Sequence, residues 1–262
     1  MTTLQADHSV KSTWRSFAGE LLLGFKNLFL PALCRKCGER ILTEENLYFC
    51  GDCWATIELV RDPKCPRCGR PHPSRHGFEP PESFVCAECA AQKSWVEKTQ
   101  AAGLHAGVLR DAIHLLKYRR KRLIAAPLSR LVLDTVIVKL DASSYDAVVP
   151  VPLHRNRLRR RGYNQSELIA RNLCTEMGTA YLPALMRVKD TPSFSMLGAQ
   201  ERRNQIKDAF APLPEADVKK KKLVLVDDVV TTGATTNECA RTLRKSGART
   251  VDVVAVAAAK ML

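Results

Sequence analysis

Apolar positions along this chain change period several times, and each change marks an element. Val108, Leu109, Ala112, Ile113 and Leu116 fall on one face of a helix, as do Leu128, Leu131, Val132 and Val136, and again Leu168, Ile169 and Leu173. Between these stretches lie short continuous apolar runs that read as buried strands: Tyr145 to Val151, Leu223 to Val226, and Val251 to Ala257, with Leu185 to Val188 as another. Strands alternating with helices predict an α/β domain over residues 100–262. Its sheet is expected to be mainly parallel, flanked by helices, with a ligand site at the carboxyl ends of the strands. Near the start, Trp14, Phe17, Leu21, Phe25 and Leu28 predict an amphipathic helix over 12–30, stopped by Pro31. That helix lacks a basic polar face, so packing on the next domain is expected rather than membrane contact. Residues 1 to about 11 read as disordered, and Thr191 to Asp208 as a polar, mobile segment.

Residues 31–95 show neither period, and cysteine dominates them instead. Eight of the ten cysteines form four C-x-x-C pairs. Cys34/Cys37 and Cys50/Cys53 are twelve residues apart, and Cys65/Cys68 and Cys86/Cys89 seventeen apart. Each pair can present two thiolates about one tetrahedral position, so two pairs make a four-thiolate zinc site. Sequential pairing, Cys34/Cys37/Cys50/Cys53 and Cys65/Cys68/Cys86/Cys89, is the assignment, with interleaved pairing left open by spacing. Gly38 and Gly69 suit the tight turns after their knuckles. Two structural Zn2+ ions are expected, because so small a segment otherwise lacks a core. With four thiolates at each ion no position is left for catalysis. His72 and His76, among prolines, are expected as loop residues rather than ligands. Such cysteine usage points to a reducing compartment. The longest apolar stretch, Leu21 to Leu30, is interrupted by Lys26 and Asn27 and has no cleavage site. A cytoplasmic location without stable membrane insertion is therefore expected.

The stretch Leu223 to Thr235 concentrates the candidate chemistry. A buried strand runs into Asp227 and Asp228, then a turn of small residues, Thr231-Thr232-Gly233-Ala234-Thr235, and then a helix. Thr235 with Glu238 fits a capping box, and Gly247 fits the helix stop. The turn amides and the helix dipole can hold a phosphate, and the paired carboxylates can accept from vicinal sugar hydroxyls. Neither Asp228 nor Gly233 is expected in the core.

Charge adds a second feature. The formal net charge is +14, and the excess is clustered. Lys117 to Arg122 holds five basic residues in six, Arg155 to Arg161 five in seven, and Lys219 to Lys222 four in four. Such a chain favours an anionic partner. The turn Val151-Pro152-Leu153-His154 follows a strand, and the arginines after it offer bidentate donors for phosphate oxygens.

The stretch from Leu223 resembles the 5-phosphoribosyl-1-pyrophosphate (PRPP) motif of type I phosphoribosyltransferases. The resemblance implies that Asp227 and Asp228, as the catalytic pair, meet the ribose hydroxyls. It also implies that Thr231, Thr232, Gly233, Ala234 and Thr235 bind the 5-phosphate, with Mg2+ accompanying PRPP. Val-Pro-Leu-His with Arg161-Gly162-Tyr163-Asn164-Gln165 resembles the ComF competence family, which includes GntX-like proteins. So do Leu-Phe-Leu-Pro before the first knuckle, Leu-Lys-Tyr at 116–118 and Glu-Arg-Arg-Asn at 201–204. This implies a zinc-ribbon module fused to a type I phosphoribosyltransferase-like domain, and a role in natural transformation through uptake or processing of single-stranded DNA. One departure is Phe194, where the family has Gln, in a segment that forms a flexible hood in type I enzymes.

Two readings of function are open. In one, a transferase displaces pyrophosphate from PRPP, with Val151, Pro152, Leu153, His154, Arg157 and Arg161 at the pyrophosphate and an acceptor not apparent from the sequence. In the other, Lys117, Tyr118, Arg119, Arg120, Lys121, Arg155, Arg159 and Arg160 bind single-stranded DNA, with Tyr118 as a stacking platform and Tyr163 as either platform or core. Spacing does not divide the arginines between the two ligands. A protein that does both is expected, with competence-machinery proteins as partners. The alternative is a phosphoribosyltransferase of nucleotide or small-molecule metabolism without a DNA role.

Overall fold

The computed structural model describes residues 32–72, 81–191 and 204–259, apart from 42, 44, 82 and 92. The expected helix over 12–30, His76, Phe194 and residues 201–203 lie outside the described residues. Two compact units are present, Met1–Trp54 and Ala55–Leu262.

In the first unit, Cys34 to Cys37 forms a knuckle closed by Gly38 N–H donating to the Cys34 carbonyl at 2.9 Å, with Gly38 at φ +82°. Cys50 and Cys53 flank the start of a short helix, α1 (Gly51–Ala55), beside the buried ring of Phe49. The second unit repeats the device. Gly69, at φ +69°, donates to the Cys65 carbonyl at 2.8 Å, and α2 (Ala87–Ala90) lies between Cys86 and the end of the module. In each set the four sulfurs lie within 4.8 Å of one another. Cys37 and Cys50 sulfurs are 3.7 Å apart and those of Cys68 and Cys86 3.9 Å. A tetrahedron with Zn–S of about 2.3 Å has edges of about 3.8 Å, so both sets fit Zn2+. Pairing is sequential. His72 directs Nε2 to the Phe84 carbonyl at 3.0 Å, as a loop residue does.

The rest of the second unit is an α/β layer structure. It begins with β1 (Thr99–Leu104), α3 (Gly107–Tyr118), α4 (Ala125–Thr135) and β2 (Ala147–Pro150). Next come α5 (Arg155–Arg161), α6 (Gln165–Met177), β3 (Ala180–Tyr181), β4 (Leu185–Arg187) and β5 (Phe210–Pro212). It ends with β6 (Lys222–Val230), α7 (Ala234–Lys245) and β7 (Thr250–Ala258). The sheet runs β1-β7-β6-β2-β3, all parallel, so β6 is central. Residues 58–60 cover the outer edge of β1 in antiparallel fashion, which removes an open edge.

Strand alternation sends Leu223 and Leu225 into one core with Cys239, Ala240 and Leu243 of α7. Helix α6 lies against β2 and β6, with α4 packed on it. The predicted faces of α3 and α4 are buried as expected, except Leu131, which is half-buried. Three short strands, β1, β3 and β5, escaped the sequence reading. The predicted strand at 185–188 is β4, but it pairs antiparallel with β5 outside the main sheet. Arg155 to Arg161 is a helix capped by His154 Nδ1, which accepts from Asn156 N–H at 3.3 Å. The capping box at Thr235 is absent because α7 starts two residues earlier than that cap requires, after Gly233 at φ +72°. Glu238 instead accepts from Asp208 N–H at 2.7 Å and pairs with Arg241. The helix stop is as expected, with Gly247 at φ +101°. No helix among the described residues is long and apolar enough to cross a membrane.

Metal analysis of the purified chain should give two zinc ions per molecule. A ratio of one or less in protein with all eight thiols intact would overturn the assignment of both tetrahedra.

Candidate functional site

The site forms where β6 outlives one of its neighbours. β2 stays paired with β6 only to Pro150 opposite Val226, with Val151 N–H donating once more to the Val226 carbonyl at 2.9 Å. β7 continues alongside to Ala258 opposite Val230. Asp227 and Asp228 therefore stand at the end of the β2 ladder, open to the loop after β2. Both are buried, 8 % and 3 % exposed, Asp228 contrary to expectation.

Alternation along β6 turns the two carboxylates to opposite faces. Asp227 Oδ1 accepts from Ser166 Oγ at 3.1 Å and from Asp228 N–H at 2.9 Å. Burial, with the Asp228 carboxylate adding to it, pushes the Asp227 carboxyl up to about 7. Asp228 Oδ2 meets Lys117 Nζ at 2.9 Å, an ion pair that compensates its charge without a well-aligned hydrogen bond. Burial alone would lower the Lys117 ammonium, but Asp228 outweighs it and holds it above the ordinary lysine value. Lys117, expected at a DNA surface, is thus the counter-ion of the acidic pair.

Below the pair, Thr231 to Thr235 curls into the start of α7. Thr236 Oγ1 donates to the Gly233 carbonyl at 3.0 Å, and Ala234 N–H reaches Thr232 Oγ1 at 3.4 Å. With Asp227, residues 229–236 line a small cup at the positive end of a twelve-residue helix, a favourable place for a phosphate.

The loop Val151 to His154 closes the other side. Asn164 is the clasp: its Oδ1 caps α6 by accepting from Ser166 N–H at 3.2 Å, and its Nδ2 donates to the Val151 carbonyl at 2.9 Å. The run from Arg161 to Ser166 then makes sense residue by residue. Gly162 ends α5 at φ +81°, Tyr163 donates to the Leu116 carbonyl, Gln165 accepts from Arg161, and Ser166 reaches Asp227. Tyr163 is buried and faces the Arg122 guanidinium, so it is a core aromatic, while Tyr118 is 62 % exposed.

Two of the basic clusters merge. Arg120 donates to the Arg160 carbonyl at 3.2 Å, Arg122 to the Gly162 carbonyl at 3.0 Å, and Arg161 lies over the Tyr118 ring. A cavity of about 670 Å³ opens between them, lined by Lys117, Tyr118, Arg120, Arg157, Arg160 and Arg161. Within α5, Arg157 and Arg161 are half-buried, whereas Arg155, Arg159 and Arg160 are exposed, as are Arg119 and Arg120. Asp190, which spacing did not single out, accepts from Asn156 at 2.8 Å and sits near His154 and Arg157. That company holds its carboxyl below the usual range, Asn156 contributing most. The third cluster, Lys219 to Lys222, lies at the amino end of β6, about 17 Å along the strand from Asp227.

Residues 25–90 match the double zinc ribbon domain family, and residues 159–261 match the phosphoribosyl transferase domain family. The DNA utilization protein YhgH of Salmonella typhi is 33% identical over 232 residues, covering 86% of this chain and 96% of its own. The chain belongs to the ComF competence family. Competence protein F of Haemophilus influenzae is 29% identical over 87% of this chain and 90% of its own. Competence protein ComFC of Bacillus subtilis is 22% identical over 76% and 78%. The ComF chain thus joins a double zinc ribbon to a phosphoribosyltransferase-type α/β domain. Ser166, Asp190 and the Lys117–Asp228 pair were not found by motif reading, because each contact joins segments distant in sequence.

The raised Asp227 carboxyl has a sign that can be measured. An unfolded aspartate titrates near about 3.9. Between that value and about 7 the folded state holds a proton that the unfolded chain releases, so this group's contribution to stability falls as pH rises through that window. Asp227→Asn keeps an acceptor oxygen and removes the penalty. Its melting temperature relative to wild type should therefore be higher at pH 8 than at pH 5. An equal difference at both pH values would show that Asp227 titrates normally.

Proposed function

We propose that this ComF-family chain binds PRPP with Mg2+ at the end of β6, binds single-stranded DNA on the adjoining basic surface, and acts in DNA uptake during natural transformation. The observation that carries the reading is the buried acidic pair set between a helix-start cup and an arginine-lined cavity. PRPP has the same order of groups: a 5-phosphate for Thr231 to Thr235, a ribose diol for Asp227 and Asp228, and a pyrophosphate for Val151 to His154 with Arg157 and Arg161. Bound Mg2+ would neutralise pyrophosphate oxygens. In a transfer reaction the chain's own part would be positioning and charge: the acidic pair beside a developing oxocarbenium, the arginines at the leaving group. The names of the relatives, DNA utilization and competence proteins, support the uptake role. The surface cations Arg119, Arg120, Lys121, Arg155, Arg159 and Arg160, with the exposed Tyr118, have the chemistry of a strand-tracking surface. A metabolic transferase without a DNA role would share the first site and lack the second ligand.

Calorimetric titration of Mg-PRPP tests the site. Charged hydrogen bonds contribute about 1.5–3 kcal/mol each, so Asp228→Asn should weaken binding roughly ten- to more than a hundredfold. Gly233→Val should do at least as much. An added Cβ there meets only Thr236 Oγ1 at 3.9 Å, so the loss would come from φ +72°, which a β-branched residue resists. Wild-type protein that takes up no PRPP would remove the basis of the reading.

Single-stranded DNA should bind with a log–log salt slope of roughly −3 to −4, as expected for about five neutralised phosphates. Replacing Arg119, Arg120, Lys121 and Arg160 with Gln should flatten it. Lys117 is left in place because it serves Asp228. An unchanged slope in the fourfold variant would move the DNA contacts elsewhere, and no binding by wild type would favour the metabolic alternative.

A further inference from the structure

The two zinc sites are not equivalent. The first belongs to Met1–Trp54, whereas the second folds within Ala55–Leu262 together with the α/β domain. Its attachment is specific. Thr99, the first residue of β1, donates its amide to the Pro66 carbonyl at 2.8 Å and its hydroxyl to the Arg67 carbonyl at 2.6 Å. Gly69 lies so close that an added Cβ would stand 3.1 Å from the Thr99 carbonyl oxygen. Arg67 Nη1 ties the two knuckles together by donating to the Cys89 carbonyl at 3.0 Å.

The segment leaving the second knuckle then reaches the phosphate cup. Trp95 N–H donates to Asn237 Oδ1 at 2.8 Å, and Asn237 N–H closes the first turn of α7 on the Gly233 carbonyl at 2.8 Å. Trp95 and Val96 pack into the core that α7 shares with the sheet. A cavity of about 250 Å³ separates Arg67, Cys68 and Cys89 from Thr232, Gly233 and Ala234. The knuckles are one wall of that cavity and the cup is the other.

We propose that the second zinc site is a positioning element of the phosphate cup, acting through the Trp95–Asn237 tether, while the first zinc site has no such part. This rests on the reading of Thr231 to Thr235 as a phosphate site. Closing the knuckles on Zn2+ fixes the segment that leaves Cys89. That segment in turn holds the first turn of α7, whose amides would face the phosphate. Of the eight thiolates, only the second four would then matter to the ligand.

The test uses the full chain and two readouts, hydrogen exchange of the amides at 231–237 and titration with Mg-PRPP. Cys86→Ser should speed exchange across the cup at least tenfold and weaken PRPP about as much, whereas Cys50→Ser should leave both as in wild type. Asn237→Ala keeps all eight thiolates and should also speed exchange, with Asn237→Asp, which retains an acceptor oxygen, restoring protection. Unchanged exchange in Asn237→Ala overturns the proposal, even where Cys86→Ser does not fold. Equal effects of Cys50→Ser and Cys86→Ser overturn it too. Wild type that fails to bind PRPP, yet shows the expected exchange pattern, would sink the ligand reading and leave the tether standing.

Discussion

Two adjacent carboxylates are buried at the end of a central strand, and much of the surrounding architecture answers that constraint. A buried charge without compensation is costly, so each oxygen needs a cation, a donor or a proton. Lys117 comes from the last turn of α3, Ser166 from the first turn of α6, and an amide from β6 itself. The two helices are in turn joined, because Tyr163, just before α6, donates to the Leu116 carbonyl beside Lys117. Residual frustration remains as the raised Asp227 carboxyl. Perturbed groups of this kind gather at functional sites, and here the perturbation coincides with a helix-start cup and a cationic cavity.

The positive charge is arranged around that pair rather than spread evenly. The segments 117–122 and 155–161 interlock through guanidinium-to-carbonyl contacts, so the half-buried Arg157 and Arg161 and the exposed Arg120 and Arg160 together line the cavity. Asp190 tempers the group by holding Asn156 and standing near His154 and Arg157. Such an arrangement suits an anion that enters, and a second that lies across the rim. The lysines at 219–222 belong to the opposite end of β6. Lys221 there stands near Asp217, and Lys222 donates to Ser144.

The zinc ribbons illustrate how one sequence motif can serve two structural purposes. Both four-cysteine sets have the same knuckle turn with a left-handed glycine. The first is closed locally around Phe49, while the second is joined by backbone hydrogen bonds to β1 and by Asn237 to α7. Cysteine spacing is identical in kind for the two, so the difference lies in the partners that the chain around each set finds.

Much was legible in the sequence because it is local. The C-x-x-C pairs, the apolar run at 223–226, the acidic pair, and the small-residue turn are each patterns of residues a few positions apart, and the α/β class comes from alternating periods. The zinc pairing, the burial of Asp227 and Asp228, and the antiparallel β4–β5 ribbon depend on which segments meet. The same holds for the capping of α7. Thr235 and Glu238 have the spacing of a capping box, but Asp208 and Arg241 offer Glu238 partners from outside that turn. Lys117 is the clearest case. In sequence it is one cation of a run, and only the packing of α3 beside β6 brings its ammonium to Asp228, because a buried carboxylate draws the nearest charge that the fold can supply.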